Sequence, residues 1–178
     1  MRYVALLRAI NVGGHSKLAM MDLRALLCSL GCSDVTTYLQ SGNALFTSPR
    51  DDPEELAREI EEHLALDLGL GVTVLIRTGD EVAAVVAANP FPSATASPTL
   101  LHISFLSAQP DAERLSEIDA RQFAPEEFRV GDRVIYLWYP NGAQRTKLSN
   151  VFFERRLGLT ATARNWNTVT KLAVLANS

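Results

Sequence analysis

The chain has 178 residues, 47% of them hydrophobic and 21% charged, with a formal net charge of −3. That suits one domain or two small ones with a real core, and excludes a disordered chain. A pI near 5.6 argues against a general coat for nucleic-acid backbone, though not against a local basic site. No apolar run reaches the roughly 18 residues of a membrane-spanning helix, and the opening MRYVALLRAI lacks a signal peptide's long apolar core and cleavage site, so it reads as the first strand of a cytoplasmic protein.

Residues 3–10 are predicted as a strand. Leu18–Leu30 carries Met20, Leu23, Leu26, Leu27 and Leu30 at helical spacing, and Gly31 suits the position after a helix end. DVTTYL (34–39) and ALFTS (44–48) read as strands joined by a QSGN turn (40–43). Pro53 suits a helix start, with Glu54 and Glu55 favoured by the dipole; Leu56, Ile60, Leu64 and Leu68 recur every four residues until GLG (69–71) stops the helix. VTVLIR (72–77) is a strand, and Asp80 is the expected cap of a short helix 81–88.

NPFPSATASP (89–98) has three prolines and no charge and reads as a linker. The order then starts again. LLHISFLS is a strand with Leu101, Ile103 and Phe105 on one face, and Asp111–Ile118 is a short helix. EEFRV and RVIYLWY form a hairpin about Gly131-Asp132. Residues 147–157 are helical and closed by Gly158, TATAR (160–164) is a strand, and Thr168–Leu175 is a last helix with Asn167 as its expected cap.

Both halves read β-α-β-β-α-β-α. TVLIRTGDEVAAVVA aligns without gaps on TATARNWNTVTKLAV at an offset of 87, placing Arg77 on Arg164, Val82 on Val169 and Val85 on Leu172. The expected fold class is α+β: a tandem duplication of two ferredoxin-like units, each a split βαβ (β-α-β-β-α-β) with an added helix, at 1–90 and 98–178 with 89–98 between them. The alternative is one α/β domain with a mixed sheet.

Four stretches hold the densest Asn, Gln, Ser and Thr: Arg8–Lys17, Gln40–Asn43, QRTKLSN (144–150) and RNWNT (164–168). Any one of them is explained by turns and caps. Their sharper reading is a ligand site. Gly13 and Gly14 can gather backbone N–H groups into an anion-holding concavity flanked by Arg8 and Lys17. The amides of Gln40 and Asn43, with Ser41 between them, offer both donors and acceptors. Trp166 is either packing or a stacking platform. The three lysines, Lys17, Lys147 and Lys171, each sit in or beside a polar stretch, whereas the other cations are 14 arginines. In a split βαβ unit the β1–α1 loop and the β2–β3 hairpin share one edge, so Arg8–Lys17 and Gln40–Asn43 are expected as neighbours. The candidate binding set is Arg8, Asn11, Gly13, Gly14, Lys17, Gln40, Ser41, Asn43, Lys147, Arg164, Asn165, Trp166 and Asn167, expected in a cleft between the halves.

Other chemistries find less support. GxxxxGK[ST], GxGxxG and GxSxG are all absent. Cys28 and Cys32 have no second pair or spaced histidines, so no zinc site is expected and both read as reduced thiols. His15, His63 and His102 form no obvious triad, and no carboxylate pair suggests acid–base work, so no catalytic residue, metal or cofactor is assigned.

LLRAINVGG, K17, M20, LRALL, LG and TYLQSGNALF, followed by TKLSN, ER, LG and RNWNTV-KL, resemble domain of unknown function family 1697 across nearly the whole chain. The family's first loop usually reads RGINVGG, so Ala9 stands where Gly is usual, and Ser149 stands where Thr is common. The resemblance implies paired ferredoxin-like units and a bacterial cytosolic protein, and no activity. The expected function is a binding protein for a small phosphorylated or nucleotide-like ligand. The alternatives are an enzyme acting on such a ligand with Lys17, Lys147 or Lys171 as electrostatic catalyst, or an RNA-binding regulatory module, the latter by fold analogy and without the aromatic RNP signature.

Overall fold

A computed structural model describes residues 1–178. Its contacts divide the chain into two units, Met1–Ala83 with Leu172–Ser178, and Ala84–Lys171. The first unit contains β1 (Arg2–Leu7), α1 (Met20–Ser29), β2 (Ser33–Thr37), β3 (Asn43–Thr47), α2 (Pro53–Leu68), β4 (Val74–Thr78) and the start of α3 (Gly79–Ala87). Its sheet runs β2-β3-β1-β4, with every pair antiparallel.

Beyond Arg2, β1 is built of apolar and aromatic residues because both of its faces are covered. Tyr3, Ala5 and Leu7 join a core with Leu23 and Leu27 of α1 and Leu56, Ile60 and Leu64 of α2. Val4 and Leu6 point the other way and are just as buried. β1 is shorter than the sequence predicts, because Ala9 at φ 53° takes the chain out of the extended region.

The helix ends follow local chemistry. Pro53 opens α2, the Asp52 carboxylate accepts from the Glu54 and Glu55 amides at 2.9 and 3.2 Å, and Gly69 at φ 67° closes it. Asp80 does not cap α3, as the sequence suggests. A reciprocal pair does so: Thr78 Oγ1 accepts from the Glu81 amide at 3.1 Å, and Glu81 Oε2 accepts from the Thr78 amide at 2.7 Å.

The second unit contains β5 (Leu101–Leu106), α4 (Ala112–Ser116), β6 (Glu127–Val130), β7 (Val134–Trp138), α5 (Asn150–Leu157), β8 (Ala161–Asn165) and most of the α6 span (Trp166–Ala176). Its antiparallel sheet runs β6-β7-β5-β8. Leu106, Ile135, Leu137, Phe153, Leu157 and Ala161 form its helix-side core, while Leu101, Ile103 and Phe105 are buried on the other face. α5 starts at Asn150, not 147, because the Ser149 hydroxyl caps it by accepting from the Phe152 amide at 3.2 Å. α6 is capped by Asn165, whose Oδ1 accepts from the Thr168 amide at 3.0 Å, and not by Asn167.

The proline-rich stretch 89–98 lies within the second unit and holds a turn of 3-10 helix at Pro92–Ala96. The divisions fall instead within α3, after Ala83, and within α6, after Lys171. In the first unit the returning segment docks on α3: Asn177 Nδ2 donates to the Gly79 carbonyl at 3.2 Å, and a Cβ on Gly79 would lie 3.1 Å from that of Ala176. No helix is long and apolar enough to cross a membrane.

Candidate functional site

The loop after β1 is a folded miniature hairpin. The Asn11 amide donates to the Ser16 carbonyl and the His15 amide to the Val12 carbonyl, both at 3.1 Å. Between them Gly13 and Gly14 lie at φ 60° and 77°. Two consecutive left-handed residues make the tight turn that joins paired strands. The glycine pair therefore forms the turn of this hairpin.

Asn11 fastens this loop to the body of the unit. Its Nδ2 donates to the Leu18 carbonyl at 2.9 Å and to the Gln40 carbonyl at 2.7 Å, and its Oδ1 accepts from the Leu18 amide at 2.9 Å. The β1–α1 loop and the β2–β3 connection are thus neighbours, as the topology of the unit requires. The Arg8 amide is tied to the Thr73 carbonyl at 2.9 Å.

The connection itself is built around Asn43. Its side chain is fully buried and donates to the Tyr38 carbonyl at 2.8 Å and to Ser41 Oγ at 3.0 Å. Asn43, expected to read a ligand, is buried and staples the turn, while Ser41, whose hydroxyl accepts from it, stays exposed. Gly42 lets the backbone approach: its carbonyl accepts from the Leu7 amide at 2.9 Å, and at φ 86° a Cβ there would sit 2.6 Å from Ile10 Cδ1. Gln40 and Lys17 remain exposed.

Two depressions open on this edge. One, of about 420 Å³, is bordered by Asn11, Gly14, Lys17, Leu18, Ala19 and Gln40. The other, of about 610 Å³, shares Ala19 and Gln40 and continues along Met21, Arg24, Thr37 and Leu39. Both volumes fall within the range of small-ligand pockets. α1 begins beside them at Ala19, which has no side chain to cap it, so its first amides and the positive end of its dipole carry no local acceptor from that residue. A third depression, of about 480 Å³, lies along α2 between Arg50, Arg58, Glu55, Glu59 and Glu62, where Arg50 pairs with Glu59.

Asn11, Gly14, Lys17 and Gln40 are the expected residues that border one depression. Lys147, Arg164, Asn165, Trp166 and Asn167 belong to the second unit. There most of the polar side chains of TKLSN build structure. Thr146 Oγ1 donates to Glu126 Oε2 at 2.6 Å and accepts from the Leu148 amide at 2.9 Å. Ser149 caps α5, and Asn150 Oδ1 accepts from Ser104 Oγ at 2.8 Å. Tyr139 spans the loop beneath, its hydroxyl donating to the Leu148 carbonyl at 2.7 Å, and Lys147 is exposed.

Arg164 is buried at 7% exposure, so it is no surface ligand-binding cation. It donates to Thr162 Oγ1 and to the Ala163 carbonyl, both at 2.8 Å. Burial pushes its guanidinium down to about 10, which leaves it charged at neutral pH. Arg77 in the first unit is buried as well and makes the same kind of bond to its preceding residue, the Ile76 carbonyl, at 2.8 Å. Asn165 is spent on its cap, Trp166 is half-buried in the first turn of α6, and Asn167 is exposed.

Sequence reasoning missed Met21, Arg24, Thr37 and Leu39. Arg24 Nη1 donates to Thr37 Oγ1 at 2.7 Å, and Met21 and Leu39 are 69% and 52% exposed. A leucine at the end of a strand looks like a core residue in a sequence, and Met21, off the apolar stripe of α1, carries no sign of a site there. The residues His, Cys, Asp and Glu form no group of three or more arranged to hold a metal ion, and both cysteines are free.

No curated protein matches the chain. The fold is similar to the solved structure of the conserved bacterial protein SP0830 from Streptococcus pneumoniae, with a TM-score of 0.77 and 24% identity over 98% of each chain. At that identity the likeness speaks for the fold alone. The family model described as "Protein of unknown function (DUF1697)" matches residues 1–136, which takes in the first loop and the hairpin and stops before TKLSN. Because that match spans well over half of the sequence, the chain belongs to the DUF1697 family.

Proposed function

We propose that the protein binds a small phosphorylated or nucleotide-like ligand on the loop edge of its first unit. The observation that carries this reading is the 420 Å³ depression bordered by Lys17 and Gln40 and held in shape by Asn11. A lysine ammonium is a compact point charge suited to phosphate, and a glutamine amide adds donors. No carboxylate, histidine or cysteine borders the depression, which favours binding over turnover.

The reading extends to the architecture: a bacterial cytoplasmic protein made of two duplicated ferredoxin-like units, with repeats at 1–90 and 98–178. It is supported by the matching strand orders. It is also supported by the buried pair Arg77 and Arg164, and by the caps Thr78 and Asn165, which keep the same offset of 87.

Thermal shift with inorganic phosphate, pyrophosphate and ribose 5-phosphate tests the binding. A ligand at 100 times its Kd adds about 2.7 kcal/mol, and Lys17→Gln is expected to abolish that gain while leaving the unliganded melting temperature unchanged. Stabilisation that persists in Lys17→Gln, or none with any of the three, defeats the reading.

A further inference from the structure

The second depression gives the ligand a shape. It shares Gln40 and Ala19 with the first, so a molecule seated at Lys17 continues directly into it. Its character differs: Met21 and Leu39 present exposed apolar side chains, while Arg24 and Thr37 form a polar rim, already joined by a 2.7 Å hydrogen bond.

Leu39 is the unusual residue. It lies at φ 61°, where a bulky side chain is strained, and it is 52% exposed, so little burial offsets the strain. Strain of this kind collects where a surface is used. Arg24 borders the same depression and Lys17 the adjoining one, so the two depressions carry charge of one sign on a chain whose net charge is −3.

We propose that this two-part groove takes a nucleoside monophosphate, with the phosphate at Lys17 and the base laid against Met21 and Leu39. The proposal rests on the anion reading above and adds the base. A nucleobase has apolar faces and hydrogen-bonding edges. An open groove with apolar contacts, a Thr37 hydroxyl, an Arg24 guanidinium and a Gln40 amide that both donates and accepts matches both features. An acyl chain would leave that polar rim unused.

Calorimetric titration of the whole protein with the four ribonucleoside 5′-monophosphates, the matching nucleosides and ribose 5-phosphate separates the parts. At least one nucleotide is expected to bind about tenfold more tightly than ribose 5-phosphate. Leu39→Gly suits the left-handed backbone, removes the apolar contact, and is expected to erase most of that difference without changing the affinity for ribose 5-phosphate. Lys17→Gln should weaken nucleotides and ribose 5-phosphate alike. If ribose 5-phosphate binds and no nucleotide exceeds it, or the advantage survives Leu39→Gly, the base site is overturned and the anion reading stands; if nothing binds, both fall. If nucleosides bind as well as nucleotides and Lys17→Gln changes nothing, the anion reading fails and takes the nucleotide proposal with it.

Discussion

Asn11 holds the candidate site together, and its removal has a size that can be worked out. Its side chain makes three hydrogen bonds, two to Leu18 and one to the Gln40 carbonyl, at 2.7–2.9 Å. Each is worth about 1 kcal/mol net. The residue is half-buried and water will replace part of the loss, so deletion should cost about 2 kcal/mol. The backbone adds a second contribution. Asn11 lies at φ 54°, a region that asparagine adopts at less cost than alanine, a difference of roughly 1 kcal/mol. Asn11→Gly should therefore lose about 2 kcal/mol and Asn11→Ala about 3. Urea unfolding followed by circular dichroism reads both as lowered midpoints at unchanged slope. A loss below about 0.5 kcal/mol for Asn11→Ala, less than one ordinary hydrogen bond, would refute the clamp. Equal losses for the two variants would refute the backbone contribution.

Gly42→Ala is expected to cost about 2–4 kcal/mol, because the new Cβ meets Ile10 at 2.6 Å and Leu7 at 2.9 Å at φ 86°. Gly14→Ala, with nothing within 4 Å of its Cβ, should cost only the backbone strain of about 1 kcal/mol; thermal melts giving the two equal losses would contradict the close packing at Gly42. His102 supplies a pH test: burial beside Tyr139 holds its imidazole below the usual histidine range of about 6.5. The unfolded chain takes up a proton there that the folded chain resists, so this contribution is complete above about pH 6.5 and is lost as pH falls below it. Urea midpoints at pH 7.5 and 5.5 should show a smaller acid loss for His102→Gln than for the parent; identical losses would remove His102 as the source.

The strands and helices were legible because their apolar spacing is strong. The ends were legible where Pro53, Gly69 or Gly158 marks them. The caps of α3 and α6 were not, because in each case the capping residue is also the last residue of the strand before it. Thr78 and Asn165 end β4 and β8, so in the sequence each reads as strand, and Asp80 and Asn167 stand out as caps in their place. The adjacency of Asn11 and Gln40 came from topology, independent of side chains. Asn43 was misread because a buried staple and an exposed ligand reader have the same letter. Leu39 was invisible for the converse reason: its exposure is set by how the chain turns at φ 61°, which periodicity does not encode, whereas Met21 lies off the apolar stripe of α1 and its exposure follows from the helical period. At Ala9 the sequence did carry a signal. The glycine usual there in the family fits φ 53° as a backbone requirement, with no ligand needed to explain it.

The return of residues 172–178 to the first unit has a thermodynamic consequence. The chain leaves that unit after Ala83 and rejoins it at Leu172, where Asn177 reaches Gly79. Bringing those points together across a fully flexible Ala84–Lys171 would cost about 4 kcal/mol of chain entropy. When the second unit is folded, that loop is already compact and the returning segment is delivered at high effective concentration. When it unfolds, the whole closure cost falls on the few contacts that hold the segment. The two units are therefore coupled through connectivity itself: unfolding of the second loosens the last turn of the first.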